Sequence, residues 1–502
     1  MNYQEIPWTT QLDIPLLALI QCMPVAFALF IFLFRDKSWC FGLGIVFALV
    51  ELFGVAHLLQ VFDSTNQAMQ FSEHASLLGL NYHVAVDGMS LLFGLLTAIF
   101  TIIILLYGKS RDLGPVWKFQ ALLFLIEAAL FNQLFTLDLL WFTFASTVQI
   151  ILVGLALSTW STSPDEDTAS TRYLQFMIVA IALLLIGTIL IGWNYANSHQ
   201  GQWSFDLFEL STTPINPAYQ SVIFFLLFYG LVIRIPCFPV HGWLPVLAEH
   251  GTVAVAPVFL LAIKTGVYGL IRFVFPLLEE SVIQWHEYVV AFALTGVFYS
   301  AVLALIQTNL RRLLAYTVVS HTGVLIICLF SLSHLSFQGA IMLAINFGLA
   351  IAGLLFMVGF VYHRTHTMLL SKLGGLFDQL PLVGVVFLFS ALSIIGMPGT
   401  TGFDSIHLML EASIEHFGAV VTITAALGNV IATGCLLWAF QKAFLEPANK
   451  PMSVNPCSSL ERVIAFLMLF VSLCFVVYFE NCLELIEQPL LSLNAHYHHL
   501  IK

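Results

Sequence analysis

The chain has 502 residues, 60% hydrophobic and only 9% charged. A soluble globule carries about a quarter charged residues, so the sequence describes an all-α polytopic membrane protein, and a net charge of −11 speaks against nucleic acid as a partner. Its eight cysteines show no CxxC pair and no His/Cys ligand spacing, so no metal site, haem, iron–sulfur cluster or other cofactor is expected.

A membrane span needs about 20 mostly apolar residues. By that criterion the chain offers fourteen spans, at 14–34, 40–61, 88–107, 118–135, 138–158, 173–194, 219–241, 253–275, 288–306, 312–332, 339–362, 382–411, 417–440 and 460–480. The N-terminus lacks the basic region and cleavage site of a signal peptide, so the first run is expected to be a retained span. The loops after odd-numbered spans hold Arg35 and Lys37; Lys109, Arg111 and Lys118; Arg172; Arg311 and Arg312; Arg364 and Lys372; and Lys442, Lys450 and Arg462. The loops 62–87, 195–218, 333–338 and 412–416 hold no Lys or Arg. Positive charge marks the cytoplasmic side, so both termini should be non-cytoplasmic, in what reads as a bacterial inner membrane. Arg272 and Lys502 are the exceptions, and the loop after span 7 carries no positive charge. Below, the two sides are the odd face and the even face.

Glu51 in span 2 and Glu127 in span 4 are carboxylates deep in apolar runs. Glu127 is the stronger candidate for a proton path, because span 2 lies outside the repeat described below; a quiet interhelical hydrogen bond is the alternative. The acidic loop 161–168 reads as solvated, and 203–210 as a short amphipathic helix at the interface or an ordinary loop. Span 7 is broken by Ile235-Pro-Cys-Phe-Pro-Val-His-Gly-Trp-Leu-Pro245, with Arg234 just ahead of the break. Charges at membrane depth are costly and usually functional, and a broken span is tolerated where its freed backbone faces protein or water. Guanidinium does not deprotonate in proteins, so Arg234 can only tune or neutralise a neighbour, Glu127 being one choice. His241 sits at the break, and Lys264 in the middle of span 8. A desolvated lysine can take up and release a proton near neutral pH, so Lys264 is the expected relay, with a permanent ion pair as the structural alternative. His321 lies on a polar strip of span 10, suited to shuttling or to packing. Span 12 is broken at 393–403, and Asp404, His407 and Glu411 follow at i, i+3 and i+7, one helical face: a proton exit or an interfacial polar cap. Interruptions five spans apart are the mark of an inverted-repeat transporter, with spans 4–8 and 9–13 as the repeats. The implied division is 1–116 (three helices), 117–275 and 288–445 (the repeats) and 446–502 (a last helix and tail).

At 80–91, 233–245, 264–273, 309–323 and 362–367 the chain resembles the antiporter-like subunits of respiratory complex I, most closely the chain M type, and their relatives in Mrp cation/proton antiporters. The resemblance runs from about residue 80 to 447. It implies fourteen helices in two inverted five-helix repeats, broken helices 7 and 12, a hydrated charged axis across the midplane, and work within a larger complex of membrane and peripheral subunits that moves protons, with sodium as the alternative ion. It matches Lys264 to the central helix 8 lysine, Glu127 to an acid often found on helix 4, and His321 to the helix 10 histidine. Four family positions differ. The helix 5 glutamate falls at about Thr147, the helix 7 lysine is Arg234, and the helix 11 histidine and helix 12 acid align near Phe347 and Ile406. The expected function is therefore a proton-conducting subunit with a rewired axis. A membrane subunit of a DAB-type inorganic carbon uptake complex and a non-conducting scaffold are the alternatives.

Overall fold

In the computed structural model, residues 4–77, 80–160, 166–250, 265–447 and 454–501 are described. Among them, eleven helices are long and apolar enough to cross a membrane, and the shorter apolar helices Pro217–Val232, Thr265–Leu277 and Pro381–Ile395 stand where spans 7, 8 and 12 were predicted. Span 11 (His334–Thr365) is the central strut: apart from Leu355, every residue from Ser336 to Val361 is buried. A helix that is apolar all round belongs inside a bundle. Spans 1, 2 and 6 instead expose large apolar side chains such as Leu33, Phe53 and Ile178, the surface expected against lipid.

Two breaks interrupt the bundle. Span 7 ends its first helix at Val232 and resumes as Trp243–His250. Span 12 ends at Ile395, passes through Gly396 (φ 81°) and resumes at Thr401. The following helix, Thr401–Phe440, contains Gly418 at φ 76° and ψ −178°, a conformation open to glycine alone, and this kink separates spans 12 and 13. Span 8 carries a π-helical stretch at Leu270–Val274 around Arg272.

The structure sorts the loops as the charges do. On the even face, Leu137 N–H donates to His83 O at 3.0 Å, Leu139 N–H to Phe205 O at 2.9 Å, and Tyr497 Oη to Phe275 O at 2.8 Å. On the odd face, Leu370 N–H donates to Thr308 O at 2.9 Å, and Glu461, at the start of span 14, binds both Arg364 (Nη2 to Oε2, 2.5 Å) and Arg111. The segment after span 7, which carries no Lys or Arg, joins this face through Glu249, 2.9 Å from Arg312. Arg272, an exception to the charge pattern, is buried and paired with Asp87 at 2.8 Å, so it presents no free charge to the even side.

The architecture is helical with one addition that the all-α expectation lacked. Strands β1 (Glu5–Pro7), β2 (Met69–Leu77) and β3 (Leu80–Val86) form a three-stranded sheet on the even face, with β1 parallel and β3 antiparallel to β2. Glu73 of β2 accepts from the N–H groups of Leu17 (2.9 Å) and Ala18 (3.0 Å), satisfying the first donors of span 1, which begins with a proline cap that has no side-chain acceptor. The tail also differs from expectation: Phe479–Ile501 is a helix, laid on the even face where a Cβ on Gly88 would fall 1.8 Å from Leu485 O. Of the two readings of 203–210, helix or loop, the structure has a short helix at Leu207–Thr212, capped by Asp206.

Candidate functional site

The span 7 break is braced rather than loose. Pro236 and Pro239 contribute no N–H, and the carbonyls released there find other donors: Trp243 Nε1 donates to Ile233 O at 2.9 Å, and Thr322 Oγ1 of span 10 to Pro236 O at 3.3 Å. This fixes Arg234 inside the bundle, 3% exposed. Its Nη1 donates to Ser146 Oγ (2.9 Å) and its Nη2 contacts Gln133 Oε1 (3.0 Å), Gln149 Oε1 (2.8 Å) and Thr265 Oγ1 (2.7 Å). Gln133 Nε2 in turn donates to Gln149 Oε1 at 3.0 Å. The guanidinium is thus solvated by neutral amides and hydroxyls from spans 4, 5 and 8, and among the described residues it has no carboxylate partner. The pairing with Glu127 that the sequence allowed is not made. On span 5 the contacts come from Ser146 and Gln149, whereas Thr147 returns its hydroxyl to Thr143 O at 2.9 Å.

Glu127 is fully buried, and so is Glu51, the acid set aside in the sequence; neither carboxylate has a hydrogen-bond partner of normal geometry. The two lie within electrostatic reach of each other. Spans 2 and 4 therefore hold two buried acids without a hydrogen bond of normal geometry, the Thr101 hydroxyl being the group in reach of Glu127, and a bare charge at either would be costly. His241 is buried at the break with its Nδ1 unpartnered, its ring against Phe238 and Tyr299. His321 is 1% exposed, and its ring lies 5.1 Å from that of Phe347. It borders a cavity of about 30 Å³ shared with Ile235, Val267 and Thr322, room for one or two waters. Lys264 lies outside the described residues; its neighbour Thr265 is the one that binds Arg234.

At the span 12 break the buried groups are neutral. Asn346 Oδ1 accepts from Ser393 Oγ and Thr401 Oγ1, both at 2.6 Å, and its Nδ2 donates to Ser393 O at 3.2 Å. Gly402 packs so tightly that a Cβ would sit 1.7 Å from Ser393 O. The three ionisable residues expected as an exit do share a face, but it points away from this buried cluster: His407 and Glu411 are exposed and Asp404 half-buried, while Ser405, Met409 and Ser413 face inward. The reason is helical phase, since the Ser393/Asn346/Thr401 contact sets the rotation of the second half-helix. Gln133, Ser146, Gln149 and Asn346 were not singled out from the sequence; a polar residue recurring on the buried face of an apolar span was the available signal.

A bundle of apolar helices with two braced interruptions and polar or ionisable groups buried between them defines a transporter-type membrane protein. Residues 136–432 match the profile of the NADH:quinone oxidoreductase/Mrp antiporter transmembrane family, and the chain belongs to that family. It is 28% identical over 413 residues to NADH-quinone oxidoreductase subunit M of Escherichia coli (strain K12), covering 80% of each chain. It is 29% identical over 475 residues to F(420)H(2) dehydrogenase subunit M of Methanosarcina mazei, covering 92% of this chain and 95% of that one. A chain of respiratory complex I from Thermus thermophilus superposes with a TM-score of 0.83 at 24% identity, over 95% of this chain and 99% of that one. A chain of the Mrp complex from Dietzia sp. does so with 0.83 at 18%, over 96% and 98%. These relatives and structural neighbours are subunits of multi-subunit assemblies.

Proposed function

We propose that the chain is a proton-conducting, antiporter-like membrane subunit of a larger energy-coupling complex of the NADH-quinone oxidoreductase kind, with a rewired axis. The observation that carries this reading is Arg234, buried at a braced helix break and solvated by neutral groups in a family whose named relatives are quinone oxidoreductase and related dehydrogenase subunits. In this reading Glu127, with Glu51 beside it, collects protons in the first repeat (117–275); Arg234 sets the local potential without changing charge; Lys264 relays, with His241 and His321 bordering the route. The second repeat (288–445) continues it through the Asn346, Ser393 and Thr401 cluster, with water as carrier. Asp404, His407 and Glu411 serve where span 12 meets a neighbouring subunit. The termini lie on the non-cytoplasmic side of a bacterial inner membrane, and protons rather than sodium are the cargo.

The test is proton flux in proteoliposomes under an imposed potential, comparing wild type with Lys264→Ala and Glu127→Gln. Loss of flux in both is expected. Equal flux in wild type and Lys264→Ala removes the relay, and absence of flux in all three favours the scaffold reading, which is supported by Arg234 having no carboxylate partner among the described residues.

A further inference from the structure

The even face holds a second group of chemistry-bearing side chains, outside the buried axis. His74 of β2 and His83 of β3 stand directly opposite each other in the antiparallel register, so both side chains leave the same face of the sheet, and their rings stack at 4.0 Å. From β1, the Glu5 carboxylate reaches both: each oxygen is 3.1 Å from His74 Nε2, and Oε2 is 3.0 Å from His83 Nε2. Ser72 Oγ donates to Glu5 Oε2 at 2.8 Å and lies 3.2 Å from His74 Nε2. Behind the cluster, His83 Nδ1 contacts the carboxylate of Asp206, and the Phe208 ring meets the imidazole edge-on at 5.1 Å.

His83 stands between two carboxylates, Asp206 at Nδ1 and Glu5 at Nε2. A neutral imidazole has one N–H; given to Asp206 from Nδ1, it leaves the Nε2 lone pair facing the Glu5 carboxylate. A second proton on the ring, which then donates to both acids, or a metal cation at Nε2 removes that repulsion. The spacing suits a metal as well. Bonds of about 2.0–2.1 Å at tetrahedral angles place ligand atoms roughly 3.3 Å apart, close to the 3.0 and 3.1 Å seen from Glu5 to the two rings.

We propose that Glu5, His74 and His83 bind a borderline divalent transition-metal cation of the zinc class, with Asp206 orienting His83 from behind. Two imidazoles and one carboxylate select such an ion over calcium or magnesium, which take oxygen ligands. A histidine ligand whose second nitrogen is held by a carboxylate is the arrangement that fixes ring and tautomer in metal sites. His83 is buried, whereas His74 and Glu5 are 55% and 34% exposed, so the fourth position opens to solvent. The ion ties the N-terminal strand, the hairpin and the loop before Leu207 into one unit. Spacing rules miss it because its ligands are spread over the first 83 residues.

The experiment uses the full-length protein without a polyhistidine tag and with His496, His498 and His499 replaced by alanine, so that the C-terminal histidines cannot bind metal. After equilibration with Zn²⁺ and gel filtration, about one zinc per chain is expected by mass spectrometry, and Zn²⁺ should raise the melting temperature. His74→Ala, a substitution at a solvent-facing side chain, should weaken zinc binding at least tenfold in chelator competition and abolish the thermal shift while leaving proton flux unchanged. Asp206→Asn should weaken binding by roughly 10–100-fold. No zinc retained by the parent at micromolar concentration, or equal affinity in the parent and His74→Ala, overturns the proposal.

Discussion

Arg234 shows how a buried cation is kept with no counter-ion among the described residues: four neutral oxygens from three spans replace water around it. Removing the guanidinium strands those groups, at about 1–3 kcal/mol for buried polar atoms left unsatisfied, partly offset because a desolvated charge is also removed. Arg234→Met is therefore expected to lower the melting temperature in detergent, with Arg234→Lys between it and wild type; an unchanged melting point in Arg234→Met would show the cage to be energetically idle. Gln149→Glu tests the same point from the other side. A carboxylate at hydrogen-bond distance from an uncompensated buried charge should raise the melting temperature at neutral pH, whereas Gln149→Leu should lower it. The charged members of the site were legible in the sequence because burying them is so costly that each needs a reason. Gln133, Ser146, Gln149 and Asn346 were not, since a neutral polar side chain in an apolar span carries no comparable penalty and resembles ordinary packing. Glu51 was visible and set aside for a reason of repeat symmetry that its burial beside Glu127 does not respect.

The two interruptions are the elements read most directly from sequence, since proline removes a donor and glycine admits the conformations that a break requires. What the sequence could not show is how each break is closed: Trp243 and Thr322 across span 7, Asn346 across span 12. Gly402 makes the second closure testable. Its alanine variant forces a methyl into Ser393 O, and overpacking of that kind costs about 1–3 kcal/mol, so thermal unfolding should shift down by several degrees. Gly434→Ala, in open space on the next span, should be neutral or stabilising by up to about 1 kcal/mol; equal behaviour of the two would contradict the tight closure. The sheet escaped the sequence reading for a different reason. Strands β2 and β3 lie in the loop 62–87, which was not read as strand, and β1 pairs with residues more than sixty positions away, a contact no local pattern encodes. The terminal helix escaped because Glu480, Glu484 and Glu487 make Phe479–Ile501 too polar to count as a span, although an amphipathic helix lying on a face needs that polarity.

Across the whole molecule, the distribution of lysine and arginine foretold which loops meet. The structure adds the clamp that holds the odd face together: Glu461, 2% exposed, joins Arg111 and Arg364 and thereby spans 3, 11 and 14. Glu461→Gln leaves two guanidinium groups without their shared acid, a change worth about 3–5 kcal/mol when buried, and should be the most destabilising single substitution on that face by chemical or thermal unfolding. Two-sidedness has its own check. In a background cleared of accessible native cysteines, Thr65→Cys should react with an impermeant maleimide added outside intact cells, and Lys372→Cys only after permeabilisation; the reverse pattern would invert the orientation. The outward stripe of Asp404, His407 and Glu411 has a consequence for the life of the protein in the cell. With a neighbouring subunit covering span 12, as proposed above, the chain made without that companion sets ionisable groups against acyl chains, where each charge near the bilayer centre costs roughly 2.5–3.5 kcal/mol. A pulse-chase measurement should find it short-lived when expressed alone and long-lived beside the subunit that covers span 12, so that its abundance follows the supply of that companion, with surveillance proteases removing the surplus.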